Sequence, residues 1–174
     1  DIMILLTSSN PVVRGTAAHT LGFLADLNDK KVGQALMELL DDLESALLDP
    51  DESVRAFAAN SMGLIGSKEL IQKIKTYIVK ETSARVKAEL YGTCYRLGDK
   101  EALDPIIKIL TKADEEVATP ILNLIEDLID RKQPPTMKSD AHRIKNILIN
   151  LSMRIPIVAN HAKALVLCLE KEFL

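Results

Sequence analysis

Residues 49–75 read DPDESVRAFAANSMGLIGSKELIQKIK, and this stretch contains one complete helix–turn–helix unit. Asp51 suits the N-cap of a first helix because its carboxylate can accept hydrogen bonds from the free backbone N–H groups of the first turn. Apolar residues then follow at helical spacing, at Val54, Ala58, Met62 and Ile65. Gly66 is predicted to end this helix in a left-handed conformation, and Ser67 is predicted to cap a second helix. The stretch therefore predicts two antiparallel helices joined by a tight turn.

The same pattern recurs along the chain. A valine in the first helical turn is found at Val13, Val54, Val86 and Val117, with spacings of 41, 32 and 31 residues. Three residues earlier stand residue types that are good N-caps, namely Asn10, Asp51, Ser83 and Asp114. Apolar residues also recur four and eight positions after each valine. Because caps and apolar positions repeat together, the chain is predicted to be a helical repeat protein. A helix whose first turn contains one of these valines is called an inner helix, and the helices that alternate with the inner ones are called outer helices. Positions are numbered from the valine.

The segments NPVVRGTAAHTLGFLAD, DPDESVRAFAANSMGLIGS and SARVKAELYGTCYRLGD resemble the HEAT-repeat family. They are most similar to its short, lyase-type HEAT-like repeats, with the pattern D-x-x-V-R-x-x-A-A-x-x-L-G. The resemblance extends from about Asn10 to Leu110 and then fades, because Ala118 replaces the arginine and Pro120 enters the helix. It implies an all-α fold, an α-solenoid in which antiparallel helix pairs form a right-handed superhelix, here with about five HEAT-like repeats.

The repeats are predicted to form one continuous domain. Residues 1–131 would contain repeats 1 to 4, residues 132–139 a linker with two prolines, and residues 140–174 an atypical terminal pair of helices. Terminal units of solenoids commonly differ from internal ones, because an end must be covered differently from the middle. The chain begins with Asp1 rather than Met, and we therefore expect it to be part of a longer protein.

The charge of the chain bears on which partners it can attract. The net charge of −3 provides no general attraction to nucleic acid or to an anionic membrane. Residues 26–52 nevertheless contain nine acidic residues and two lysines, whereas residues 68–112 contain ten basic and six acidic ones. This asymmetry indicates either solvated outer faces or a bipolar surface that orients a charged partner.

Cys94 and Cys168 share no spacing motif and are predicted to be buried thiols in a reducing compartment. With no signal peptide and no apolar run of about 18 residues, we expect a cytoplasmic protein without membrane association.

A basic residue directly follows three of the valines, at Arg14, Arg55 and Lys87. These residues could form a basic ladder for phosphates, or each could reach an acid in a neighbouring turn. The Asp–Arg ladder of the family that the chain resembles favours the second interpretation.

The sequence contains no recognisable catalytic or metal-binding motif. His19, His142 and His161 share no ligand spacing with the cysteines. Neither a glycine-rich nucleotide-binding motif nor G-x-S-x-G occurs. The sequence therefore favours a protein without enzymatic activity, metal or cofactor, although it does not by itself exclude an enzyme.

The inner helices carry the predicted binding surface. In HEAT arrays the second helix of each pair lines the concave face, so the resemblance implies that positions +3, +6 and +10 point away from the core there. The predicted partner-binding residues are Thr16, His19, Phe23, Phe57, Asn60, Glu89, Arg96, Asn123 and Asp127. Such a mixture of aromatic and hydrogen-bonding side chains is typical of surfaces that bind peptides.

Three functions are compatible with these features. The favoured one is a non-catalytic scaffold that binds a protein or peptide partner on its concave face. The lyase-type resemblance implies a second, a phycobilin-lyase-like chromophore lyase subunit. The third is a nucleic-acid-binding HEAT-like repeat protein, which the acidic total and the acids beside Arg96 make less favourable.

Overall fold

The structure is a computed structural model that describes residues 2–27, 33–134 and 137–174. Within these ranges the chain is helical and has no strand, and none of the helices is long and apolar enough to cross a membrane. The α-helices are α1 (Pro11–Leu27), α2 (Gly33–Ala46), α3 (Glu52–Ile65), α4 (Ile71–Lys80), α5 (Ala84–Arg96), α6 (Leu103–Lys112), α7 (Glu115–Asp130), α8 (Met137–Arg154) and α9 (Ala159–Phe173). Short 3-10 helices span Ile2–Thr7, Lys68–Leu70, Lys100–Ala102 and Pro156–Val158.

The helices stack in the order that the repeat pattern predicts. The inner helices α1, α3, α5 and α7 pack side by side in sequence, and α9 extends this layer by packing on α7. The outer helices cover it, because α2 packs on α3, α4 packs on α5, and α6 packs on both α5 and α8. The protein is therefore an all-α solenoid.

All four N-caps predicted for the inner helices are formed. In each inner helix the cap side chain accepts a hydrogen bond from a backbone N–H of the first turn. The distances are 2.9 Å for Asn10 with Val12, 2.8 Å for Asp51 with Ser53, 3.3 Å for Ser83 with Val86, and 3.0 Å for Asp114 with Val117. The recurring cap type is thus explained by a recurring hydrogen bond.

The core also follows the repeat. The residues at positions +4 and +8 are buried in all four inner helices, namely Ala17, Leu21, Ala58, Met62, Leu90, Cys94, Ile121 and Ile125. Apolar residues also recur at position +11, where burial is less uniform: Leu128 is buried, Ile65 and Leu97 are partly buried, and Leu24 is 43% exposed. Because burial of one aliphatic side chain contributes only about 1.5–3 kcal/mol, each helix pair depends on its neighbours for stability.

Neighbouring inner helices approach closely through small residues and a side-chain hydrogen bond that the sequence pattern did not reveal. The Ser61 hydroxyl donates to the backbone oxygen of Ala18 at 2.8 Å, and the Thr93 hydroxyl donates to that of Ala59 at 2.6 Å. Donors and acceptors occupy the same positions, +7 and +5, in successive repeats. Gly22 permits the first approach, because a Cβ there would lie 2.3 Å from the Ser61 side chain.

The turn after α3 differs from the prediction. Gly66 is extended, with φ −80° and ψ 178°, and is not left-handed. Glycine is needed there for space, since a Cβ would lie 2.5 Å from both the Met62 carbonyl oxygen and the Leu70 side chain. Ser67 forms no side-chain cap. The left-handed conformation occurs one repeat later, at Gly98, where φ is 108°.

The two cysteines have different environments. Cys94 is buried in the core as predicted, and burial raises the pKa of its thiol to about 11. Cys168 is exposed on α9, so the prediction that it is buried is wrong. The apolar residues around it lie on opposite faces of α9. Leu165 and Leu169 are on the buried face, and Leu167 is on the exposed face.

Candidate functional site

A groove of about 270 Å³ runs across the inner helices α1, α3, α5 and α7. It brings together seven of the nine predicted binding residues, namely His19, Phe23, Phe57, Asn60, Glu89, Asn123 and Asp127. These residues come from helices up to three repeats apart, yet they share positions +3, +6 and +10. The repeat register therefore identified the side chains that meet in one groove.

The other two predicted residues lie elsewhere. Thr16 is exposed on α1 but does not line the groove. Arg96 was predicted to point outward, and this is wrong, because the residue is only 7% exposed. Its Nη2 donates to the Asp127 carboxylate, and its Nη1 lies 3.5 Å from the backbone oxygen of Asn60. The long side chain thus lies under the groove, where the Asp127 charge offsets part of its desolvation cost.

The part of the groove formed by α1 and α3 is aromatic. The rings of His19 and Phe57 lie 5.3 Å apart at an angle of 53°. Phe57 is half-buried because it covers Gly15, where a Cβ would lie 3.1 Å from the Phe57 ring. Phe23 is 44% exposed. These rings offer a ligand apolar surface that is already largely ordered.

The part formed by α5 and α7 is ionic. The Arg131 Nε donates to Asp127 Oδ1 at 2.7 Å, so Asp127 pairs with two arginines. The Arg85 Nη1 donates to the Ser53 hydroxyl at 3.1 Å. In the described ranges no three His, Cys, Asp or Glu side chains are grouped so as to hold a metal ion.

Several buried polar atoms of this ionic part lack a hydrogen-bond partner within the part of the chain that the structure describes. They are Arg85 Nε, Glu89 Oε2 and Arg96 Nε, all on α5. Burial raises the pKa of Glu89 to about 7, against the opposing effect of the charges of Arg96 and Arg85. An unsatisfied buried polar atom costs about 1–3 kcal/mol, so a group of them is unusual unless water or a ligand satisfies it.

The basic residues that follow the valines lie away from this groove and form ion pairs. Arg14 donates to both carboxylate oxygens of Asp49 at 2.6 and 2.9 Å, and Arg55 donates to both of Glu81 at 2.8 and 3.1 Å. Each acid stands two residues before the next N-cap. Pairing is thus confirmed for both arginines. In the third repeat the corresponding positions hold Lys87 and Lys112. Because both are positively charged, they cannot form the ion pair of the first two repeats.

The stacked inner helices, their repeated caps and the groove across them define the class of protein, an α-solenoid built from helical repeats. The family model described as HEAT repeats matches residues 40–125, and this part of the chain belongs to the HEAT-repeat family. A search of curated protein sequences gave no match. Among solved structures, the crystal structure of an engineered protein is 18% identical over 98% of this chain and 96% of its own, with a TM-score of 0.42. A likeness at that level adds nothing to the argument on the fold.

Proposed function

We propose that the chain is a non-catalytic scaffold that binds a segment of another protein, or a peptide, in the groove on its concave face. The observation that supports this proposal is the combination, in one groove, of partly exposed aromatic rings and buried polar atoms without partners. The rings favour an apolar side chain, and the polar atoms require both a hydrogen-bond donor and an acceptor. A peptide supplies the donor and the acceptor, because every residue except proline carries a backbone N–H and every residue a backbone carbonyl, and its side chains supply the apolar group.

The ionic part of the groove favours a protein partner over a nucleic acid. Arg85 and Arg131 line it, but Glu89 and Asp127 lie beside them. A phosphate backbone drawn to the arginines would meet two carboxylates and a protein of net charge −3. A peptide can match the alternating charges with its own side chains.

The proposal is tested by selecting peptides from a random display library on the folded protein and measuring their affinities by calorimetry. Phe57→Ala combined with Asn60→Ala is expected to weaken the selected peptides at least tenfold, since it removes the apolar surface and an amide from the groove. Asn123→Arg, at an exposed position that lines the groove, should obstruct binding without removing any packing. Val79→Ala, on the outer helix α4 at a residue that is 85% exposed, is the matched control.

Circular dichroism melts show whether each variant is folded. If the library yields no peptide above background, or if the selected peptides bind the groove variants and the wild type equally, the proposed function is wrong.

A further inference from the structure

The groove is chemically divided along the direction in which the helices stack. Its aromatic side chains come from α1 and α3, and its charged side chains come from α5 and α7. A ligand that crosses the inner helices would therefore meet an aromatic surface first and an ionic surface second. A ligand of uniform character would leave one of these two surfaces unmatched.

The ionic part has an excess of positive charge. It contains the arginines Arg85, Arg96 and Arg131 and the acids Glu89 and Asp127, so one positive charge remains even when both acids are ionised. The excess increases when Glu89, whose pKa is raised by burial, is protonated. A negatively charged group is thus the electrostatic complement of this part of the groove.

Arg85 is the arginine that is available for such a group. Arg96 and Arg131 both pair with Asp127, whereas in the described part of the chain Arg85 donates only to the neutral Ser53 hydroxyl and forms no ion pair. Its Nε is buried without a partner. A carboxylate pairs strongly with a guanidinium, because it can accept two parallel hydrogen bonds.

The spacing of the two contacts follows from the spacing of the helices. Packed helices are about 8–10 Å apart, and an extended peptide advances about 3.3 Å per residue. Both side chains extend toward the preceding inner helix, since Phe57 covers Gly15 on α1 and Arg85 reaches Ser53 on α3. Their ends are therefore still about one helix spacing apart, so a ligand residue above Phe57 is separated by about three residues from one beside the Arg85 guanidinium. Glu89 lines the same groove, and its unpartnered oxygen can accept a backbone N–H of the ligand.

From this arrangement we infer that the groove binds an extended segment in which a hydrophobic side chain and an acidic side chain stand three residues apart. The hydrophobic side chain packs on His19 and Phe57, and the acidic one pairs with Arg85. The inference rests on the proposed function and specifies the ligand of the same groove.

The test uses blocked peptides with a single tryptophan. The protein has no tryptophan, so the fluorescence of a peptide Trp reports its environment without background from the protein. The probe peptides are acetyl-GSWSGDGS-amide and acetyl-GSDGSWGS-amide, which present the two residues at the required spacing in both directions. Their controls replace Asp with Asn or Lys, or place Asp directly beside Trp.

At least one Asp peptide is expected to bind about tenfold or more tightly than its Asn and Lys controls and than the peptide in which Asp adjoins Trp. Arg85→Gln should abolish this preference for Asp. Lys108→Gln, which removes the same charge from an exposed site on the outer helix α6, should retain it. A circular dichroism melt of each variant confirms that it is folded.

The inference is overturned if both Asp peptides bind no better than their controls, if neither binds more tightly than about 1 mM, or if Arg85→Gln keeps the preference. In each of these cases the proposed function stands as long as the display library yields peptides whose binding depends on Phe57. If the library yields none, both proposals fail together.

Discussion

Replacing Glu89 with glutamine is expected to stabilise the protein at neutral and alkaline pH and to have little effect near pH 4.5. Burial raises the pKa of Glu89 from its ordinary value of 4.5 to about 7. Between these two values the folded protein holds a proton that the unfolded chain has lost, so the stability of the wild type falls as the pH rises. Glutamine has the shape of the protonated acid and carries no charge, and it therefore avoids this loss.

The size of the effect follows from the shift in pKa. A rise in pKa from 4.5 to about 7, at about 1.4 kcal/mol for each tenfold change in proton affinity, sets an upper value of about 3–4 kcal/mol. Solvent still reaches part of the residue, which reduces the expected gain at pH 8 to about 1–3 kcal/mol. For a chain of this length that gain corresponds to a rise in melting temperature of roughly 2–12 °C.

The measurement is urea unfolding of the wild type and of Glu89→Gln, followed by circular dichroism between pH 5 and pH 8. Only the difference in free energy of unfolding between the two proteins is interpreted, because the other carboxyl groups titrate in both and cancel. Glu101→Gln, at an exposed glutamate, is the control for removing one negative charge and should change the free energy of unfolding at pH 8 by less than about 0.5 kcal/mol. If the difference for Glu89→Gln is constant over this range, or if the variant is the less stable protein at pH 8, the assignment of a buried acid to this site is incorrect.

Three further substitutions test the packing of the array by thermal and chemical unfolding. Arg55→Ala breaks a bidentate ion pair and should cost about 1–3 kcal/mol, whereas Lys87→Ala, at the same repeat position beyond the end of the ladder, should cost less than about 0.5 kcal/mol. Met62→Asp places a charge at a position that is 1% exposed and should abolish cooperative unfolding, while Leu167→Asp, at a residue 66% exposed, should leave the melt nearly unchanged. Gly22→Ala should cost about 1–3 kcal/mol, since its new methyl group would lie 2.3 Å from atoms of α3; an unchanged melt would show that α1 and α3 are not this close.

The features of the fold that could be predicted from the sequence are those with a local cause. An N-cap such as Asp51 bonds to an N–H only two residues away, so residue type and position suffice to identify it. The hydrogen bond from Ser61 to Ala18 could not be found in this way, because its partner is 43 residues distant and the bond forms only when two repeats are stacked. The extended conformation of Gly66 was not predicted for a related reason. Glycine is needed at this position because Leu70 leaves no space for a Cβ, and not because φ is left-handed.

The same distinction applies to the candidate site. The repeat register placed His19, Phe57, Asn60 and Asn123 on one face, and the structure places all four in one groove. Arg96 occupies an equivalent position, but its side chain is long enough to reach under the groove to the Asp127 carboxylate. The repeat position determines the direction in which a side chain leaves its helix. The location of the charged end of a long side chain depends in addition on the ion-pair partners within its reach. Arg85 was not predicted at all, because it precedes the valine and its exposure to the groove depends on the neighbouring helices.

The amino-acid sequence by itself determined where the inner helices begin, which of their faces is buried and that the pairs repeat, because these properties depend on hydrogen bonds and apolar spacing within one helix. Only the tertiary structure decided which charged groups are paired, which buried polar atoms of the described residues lack partners, and that burial raises the pKa of Glu89. The physical reason is that desolvation and ion pairing depend on atoms brought together from different repeats, whose distances are set by stacking and not by their order in the chain.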